Sequence, residues 1–399
     1  MLYLGKFDMK KIKLISIPLS IIILVVFAII VSSRFQYFDD FKSMISLVIR
    51  SQNTKASIDD YKFFDNVEIK KSDSLFEWPK HNLYNQIGSS KTLDSVHKKN
   101  ETVAFLIIKN DSIIKEDYFL GYDENSMTNS YSMSKSIISF LFLKSIDEGT
   151  IPSLNSKLTD YFPAFDESNG GNVTLSDLST MSSGLVWKEN YKDLMGITAQ
   201  AYVTKDLNKL MMGSKFSGIS GDKFKYLSGN TQLLAMAIEK ANNSTISELT
   251  YKWLWNPMGA KNDALWMIDS KEKNMTKAFC CLSSNAKDFA KVGLVYKNFG
   301  KINEQKLIDS SFISMSIKPR FNSNPIYGYG LWIGKQNNID FFSLRGHQGQ
   351  YVIVIPKEDV IIVRLGKRKS RGSDLNNHPS DFNMYITESL NILNNIYKN

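Results

Sequence analysis

Cysteine is nearly absent from this chain: Cys280 and Cys281 are its only two, and they are neighbours. Adjacent residues do not readily meet disulfide geometry, so the sequence predicts neither a disulfide framework nor a metal site, and the pair is assigned no chemical role. Histidine is almost as scarce. His81, His97, His347 and His378 show no H-E-x-x-H or paired-ligand spacing, so no metal ligands are nominated. The chain has no G-x-S-x-G pentapeptide, which excludes the strand-to-helix nucleophile elbow of an α/β-hydrolase. A phosphate-cradling G-x-x-x-x-G-K-[ST] loop and a dinucleotide fingerprint are also missing, and no cofactor is implied. Nor does one sign of charge dominate. The 49 basic residues are scattered among 40 acidic ones for a net charge of +9, without a basic stripe interleaved with aromatics, so nucleic acid is not an expected partner.

Long apolar runs are confined to one place. Leu14 to Ser33 reads LISIPLSIIILVVFAIIVSS without a charge, a length that roughly matches the ~30 Å core of a bilayer if helical. Lys6, Lys10, Lys11 and Lys13 precede it and only Arg34 and Lys42 follow closely. That asymmetry predicts a cytoplasmic N-terminus and an extracytoplasmic remainder. A cleaved signal peptide is the rival, but the run is long and no A-x-A site closes it, so an uncleaved anchor to the lipid bilayer is preferred. The expected organisation is residues 1–33 as cytoplasmic tip and transmembrane signal-anchor, 34–75 as a spacer, and 76–399 as the globular domain.

Within that domain, TVAFLIIK from Thr102, the turn residues Asn110 and Asp111, and SIIKEDYFLGY read as a β-hairpin. Near the other end, YGYGLWIG, IDFFSLRG, QYVIVIP and DVIIVRLG read as an antiparallel meander. A final helix with helical apolar spacing is capped at Ser380. Between about Ser132 and Gly300 the pattern is mostly helical and loop-rich. Strands at both ends of a helical middle predict an α+β fold: an antiparallel sheet flanked by helices, with an inserted helical region and one transmembrane helix in front.

The chemistry begins with S-x-x-K. On a helix, residues three apart share a face, so a lysine amine can reach a serine hydroxyl and take its proton. Six such matches occur, beginning at Ser95, Ser112, Ser132, Ser220, Ser270 and Ser284, so context must select. Ser132-Met133-Ser134-Lys135 follows the hairpin and opens SIISFLFL, a helix start that is apolar nearly all round and therefore buried. Burial lowers a lysine's pKa, which suits a general base near neutral pH. A helix start also places backbone dipoles beside developing oxyanion charge. The alternative is a serine cap followed by a lysine that reaches solvent.

Two more motifs follow in order. In FKYLSGNTQLLAMAIEKA, Tyr226 precedes an apolar helix; a tyrosine held by a cationic lysine can have a lowered pKa and relay protons. In RGHQGQYVIVIP, His347-Gln348-Gly349 opens a strand, and glycine there lets backbone approach a carbonyl. The ordered series resembles the serine β-lactamase and penicillin-binding-protein superfamily over roughly Thr102 to Gly366. NSYSMSKSIISFLFLKSIDEG resembles its nucleophile helix and TLSDLSTMSSGLVWKENY the segment that follows. The resemblance implies Ser132 as nucleophile, Lys135 and Tyr226 as general base and acid, and the backbone amides of Ser132 and Gln350 as oxyanion hole. It also implies that His347, Gly349, Ser228 and Arg345 line the substrate.

Two departures narrow the substrate. Ser228 stands where the class C-like Tyr-x-Asn motif has its asparagine, with Asn230 two further on, a form that looks like the aminohexanoate-oligomer hydrolases. His347 replaces the third-motif lysine, and a histidine of ordinary pKa near ~6.5 is only partly cationic at neutral pH. Both favour carboxylic esters or linear amides over penicillins, while Arg345 could restore carboxylate binding. The rival readings are a penicillin-binding-like receptor for wall fragments or peptides, noncatalytic or slowly acylating, and a D-Ala-specific carboxypeptidase or β-lactamase.

Overall fold

The computed structural model describes residues 19–34, 38–165, 170–374 and 378–397. Twelve strands are described in chain order: β1 (Asn66–Ile69), β2 (Thr102–Lys109), β3 (Ser112–Tyr118), β4 (Thr128–Asn129), β5 (Ala264–Met267), β6 (Leu282–Ser284), β7 (Lys301–Ile302), β8 (Gln305–Lys306), β9 (Trp332–Gln336), β10 (Ile339–Gly346), β11 (Gln350–Ile355) and β12 (Val360–Gly366). Six form the main antiparallel sheet in the order β3-β2-β12-β11-β10-β9. The N-terminal hairpin therefore joins the C-terminal meander through β2 and β12. Asn110 and Asp111 both take positive φ, 49° and 55°, the conformation that lets a two-residue turn match the strand twist.

The central strands β2, β11 and β12 read as nearly unbroken apolar runs because both faces are covered. On β2, Ala104, Leu106 and Ile108 enter the core that also holds Ile137, Phe140 and Val292, while Phe105 and Ile107 face Leu93, Phe382 and Tyr385. The helix Ala286–Lys297 packs on the first face. The helices Lys91–Lys99 and Ser380–Tyr397 close the second; Ser380 is the first residue of the final helix rather than its cap, with its Oγ donating to Arg371 O at 3.2 Å. Each fully buried Leu, Ile or Phe contributes about 1.5–3 kcal/mol of transfer free energy. The mixed α and β architecture with antiparallel sheets agrees with the sequence reading.

A smaller sheet, β1-β5-β6-β4, runs beside the nucleophile segment. It incorporates part of the expected spacer, since Asn66–Ile69 pairs in register with Ala264–Met267. The helix Phe38–Ser51 also docks, with Asp40 buried near Thr204. The apolar run is only partly described. Its helix is Leu19–Arg34, 16 residues, or about 24 Å at a 1.5 Å rise. Among the described residues no helix is long and apolar enough to cross a membrane, so the expected transmembrane helix is not found there. Residues 14–18 of the run lie outside the described residues.

Candidate active site

Three elements meet above the first face of the main sheet: a tight turn leading into the helix Ser134–Asp147, the start of the helix Ser228–Asn242, and the β10–β11 turn. The first presents the nucleophile candidate. Tyr131 N donates to Asn129 Oδ1 at 2.8 Å, which folds the chain back, and Tyr131 takes φ +46° just before Ser132. Ser132 lies in the 3₁₀ turn Tyr131–Met133 and is half-buried, whereas Met133, Ser134 and Lys135 beneath it are buried. The segment Ala278–Leu282 supports this turn from below. Ser134 Oγ donates to Ala278 O at 3.0 Å and Ser130 N to Leu282 O at 2.7 Å.

Lys135 is only 1% exposed, and its Nζ donates to Ser132 Oγ at 3.0 Å and to Phe279 O at 2.5 Å. Burial pulls its pKa down to about 8, against a smaller upward pull from the Glu189 carboxylate. Of the six tetrads, this one is thus brought into the geometry a base requires. Tyr226 joins it: Lys135 Nζ lies 5.3 Å from the Tyr226 ring centre, and the Ser132 side chain is near enough to pull the tyrosine's pKa down. The expectation of a lowered tyrosine pKa is corrected. Enclosure raises it, with the Glu189 carboxylate adding to the rise, and together they outweigh the opposing pulls of Ser132 and Arg345, so Tyr226 stays a phenol. Its ring rests on Trp332, centroids 5.1 Å apart, and on Tyr327 at 5.9 Å.

Ser228 does not point at the nucleophile's partners as a free hydrogen-bonding group. Its backbone N and Oγ both donate to Glu189, each at 2.7 Å, and Tyr191 OH donates to the same carboxylate at 2.5 Å. Asn230 is fully buried and accepts from Ser183 Oγ at 2.6 Å. Neither residue supplies the side-chain amide of the Tyr-x-Asn pattern.

The third motif closes the site. The backbone of β10 runs against the nucleophile segment, for a Cβ on Gly346 would lie 2.2 Å from Ser130 O. His347 sits between aromatic rings, edge-on to Tyr131 at 5.6 Å and tilted over Tyr191 at 4.9 Å. Burial, with the Lys369 charge adding to it, pushes its pKa to about 4, so it is neutral at pH 7 rather than partly cationic. Gln348 takes φ +58°, and its Nε2 donates to Ala56 O at 2.5 Å. The fully buried Arg364 holds this turn by donating from Nη1 to Gln348 O at 3.0 Å and Gly349 O at 2.8 Å. Gly349 has φ +85°, and a Cβ there would lie 2.2 Å from that nitrogen. Gln350 begins β11 opposite Gly346, and its side chain is locked on Gly366 O at 2.6 Å. Arg345 stacks at 4.1 Å on Trp332, the ring that Tyr226 also rests on, and donates to His378 Nδ1 at 2.9 Å with that ring in its acceptor tautomer.

The beta-lactamase family model matches residues 92–381. The chain belongs to the beta-lactamase family. That places it in the serine β-lactamase and penicillin-binding-protein superfamily, and the match extends past both ends of the stretch whose motifs carried the resemblance. Among curated relatives, 6-aminohexanoate-dimer hydrolase of Paenarthrobacter ureafaciens is 22% identical over 286 residues, 66% of this chain and 72% of the relative. Among solved structures, one assigned as a 6-aminohexanoate-dimer hydrolase from Bacillus anthracis superposes with a TM-score of 0.72 at 20% identity, covering 86% of this chain and 94% of that one. A family VIII carboxylesterase gives a TM-score of 0.59 at 14% identity over 79% and 99%.

Sequence reasoning did not single out Glu189, Tyr191, Tyr131, Trp332 or Arg364. Glu189 and Tyr191 stood in the stretch that resembled the family, yet a carboxylate in a loop has no local signal for a partner 39 residues away. Cys280 and Cys281 are buried within the segment that supports Ser130, Ser134 and Lys135.

Proposed function

We propose that this beta-lactamase family member is a serine hydrolase that cleaves carboxylic esters or linear amides through an acyl-enzyme on Ser132. The observation that carries the proposal is a buried lysine of lowered pKa, 3.0 Å from a half-exposed serine hydroxyl. Lys135 takes the hydroxyl proton as Ser132 Oγ attacks the carbonyl carbon. Tyr226, kept as a phenol, gives its proton to the departing alcohol or amine and recovers one from Lys135. The oxyanion is assigned to the backbone amides of Ser132 and Gln350, on a turn that Arg364 holds in place. Water then attacks the acyl-enzyme with the same pair acting in reverse.

The substrate class follows from what surrounds Ser132. A neutral His347 supplies no fixed cation for a penicillin-like carboxylate, and Arg345 is engaged by Trp332 and His378. Tyr191 and Tyr226 offer aromatic surface to the chain of an ester or linear amide. The curated relative named for the aminohexanoate dimer supports the amide arm. The test compares kcat/KM for a short-chain nitrophenyl ester, an aminohexanoate dimer and a chromogenic cephalosporin. Preference for the ester or the dimer is expected; preference for the cephalosporin contradicts the assignment.

We further propose that the N-terminal apolar helix attaches the enzyme to a bilayer, with the catalytic domain outside the cytoplasm. Ile23, Leu24, Phe27 and Ile29 are each more than half exposed on it, an arrangement that favours lipid over water. Protease added to intact spheroplasts should digest the domain, and protection until lysis contradicts that orientation.

A further inference from the structure

The short segment 56–60, which follows the helix Phe38–Ser51, touches both of the elements that carry the assigned oxyanion donors. Ile58 O accepts from Asn129 N at 2.8 Å, and the Asn129 side chain in turn accepts from Tyr131 N and folds the chain into the nucleophile turn. Two residues earlier, Ala56 O accepts from Gln348 Nε2 at 2.5 Å on the β10–β11 turn. The segment is itself held in place. Ile58 is fully buried, and one oxygen of the buried Asp60 carboxylate accepts from Ser57 N at 2.8 Å and from Tyr202 OH at 2.9 Å. Asp59 accepts from Tyr122 OH at 2.6 Å.

Gln348 links these pieces. Its Nε2 lies on Ala56 O, while its Oε1 accepts at 3.4 Å from the hydroxyl of Tyr131, the residue before Ser132. A carbonyl can only accept, so the amide nitrogen must face Ala56, which leaves the amide oxygen for the tyrosine. Gln348 holds φ +58°, a conformation that asparagine adopts more readily than glutamine. Backbone conformation therefore does not call for glutamine here; reach to two partners on different elements does. Arg364 fixes the turn's own shape through Gln348 O and Gly349 O, and the Gln348 side chain sets where that turn sits against the nucleophile segment.

We propose that Gln348 is a positioning residue that fixes the separation of the two oxyanion donors, Ser132 N and Gln350 N, by tying the β10–β11 turn to Tyr131 and to the segment 56–60. The inference rests on the acyl-enzyme reading and on those two amides forming the hole. Donors held at a set separation stabilise the oxygen of the tetrahedral intermediate more than that of the bound carbonyl, so loss of the tie is felt in kcat rather than in KM. The segment that leads from the N-terminal helices into the domain thereby belongs to the frame of the active site.

Gln348→Asn in the full chain keeps a residue suited to positive φ and shortens the side chain by one methylene, so it cannot reach both partners. For a nitrophenyl ester, kcat should fall about tenfold or more with KM changed by less than about twofold, short of the roughly 10²–10³-fold that follows outright removal of an oxyanion donor. An alkyl boronic acid, whose tetrahedral adduct on Ser132 places an oxygen in the hole, should lose affinity in the same proportion. Tyr131→Phe removes one hydroxyl from the tie and should lower kcat about threefold, the size of one hydrogen bond, with the double variant little worse than Gln348→Asn alone. A thermal melt confirms that each variant is folded. Unchanged kcat in folded Gln348→Asn overturns the proposal, as does a loss confined to KM or a fall in kcat with boronate affinity intact. If Gln348→Asn does not fold, Tyr131→Phe decides alone, and an unchanged kcat there overturns the tie. Failure of a fluorophosphonate to label Ser132 in the parent instead overturns the acyl-enzyme reading beneath it.

Discussion

Both oxygens of Glu189 are occupied by Ser228: Oε2 accepts its backbone N–H and Oε1 its hydroxyl, each at 2.7 Å. The carboxylate thereby fixes the start of the helix that follows Tyr226, and its charge also opposes the burial that lowers the Lys135 pKa. Ser228 thus serves as an anchor for its own helix, which accounts physically for a Tyr-x-Ser motif where relatives of the class C-like branch have an amide.

Glu189→Gln should shift the acidic limb of the pH–rate profile to lower pH. Removing the anion withdraws its stabilisation of the ammonium, so Lys135 loses its proton more readily. An acceptor oxygen remains for only part of the Ser228 pair, so a stability loss of about 1–2 kcal/mol is expected as well. The profile of kcat/KM for a nitrophenyl ester, with a thermal melt alongside, checks both; a limb that stays in place or moves up contradicts the electrostatic role.

The pH dependence of the parent enzyme follows from the same lysine. With its pKa lowered to about 8 by burial, Lys135 is mostly protonated below that value, and activity should rise as pH passes through it. Lys135→Arg cannot reproduce this, because a guanidinium keeps its proton across the range. Its expected loss is about 10²–10⁴-fold at every pH, the usual contribution of a general base. A variant that keeps a rising limb near the same pH would assign that limb to another group.

The β10–β11 turn gives a test independent of protonation. Gly349→Ala would place a methyl against the Arg364 guanidinium at a φ of +85° that alanine does not favour. A loss of about 2–3 kcal/mol is expected, in the upper range for a strained buried site. Activity should fall beyond what the unfolded fraction explains, because the turn carries the proposed oxyanion donor. Equal losses of folded protein and of activity would leave the turn a purely structural element.

Local signals made the main sheet readable. Asn110-Asp111 marks its hairpin because these residues accept positive φ, and the runs at IDFFSLRG, QYVIVIP and DVIIVRLG became β10, β11 and β12 because alternate residues enter two cores. The proximity of Ser132 and Lys135 was readable for a related reason: a lysine on an otherwise apolar helix is costly to bury, and Lys135 is buried with its Nζ 3.0 Å from the Oγ of the half-buried Ser132. The small sheet was not readable. β4 has two residues and β6 three, and their pairing joins Thr128 to Ser284 across a separation that no local pattern encodes. The docking of residues 38–75 and the Glu189–Ser228 bond were hidden likewise. The tyrosine pKa was misjudged because proximity to Lys135 could be inferred from the motif, whereas enclosure by Trp332 and Tyr327 could not.

The most direct measurement of the central claim is the intact mass of the full chain after a fluorophosphonate or a slow ester, with the modified peptide sequenced, for the parent and for Ser132→Ala. Stoichiometric addition on Ser132 is expected in the parent. Ser132→Ala should show none, together with loss of ester turnover and a preserved fold, since the substitution removes one half-exposed oxygen from the turn. The double variant with Lys135→Ala should be little worse than either single one, because groups that act as a unit lose activity non-additively. Addition to a different serine, with turnover intact in Ser132→Ala, would contradict the account.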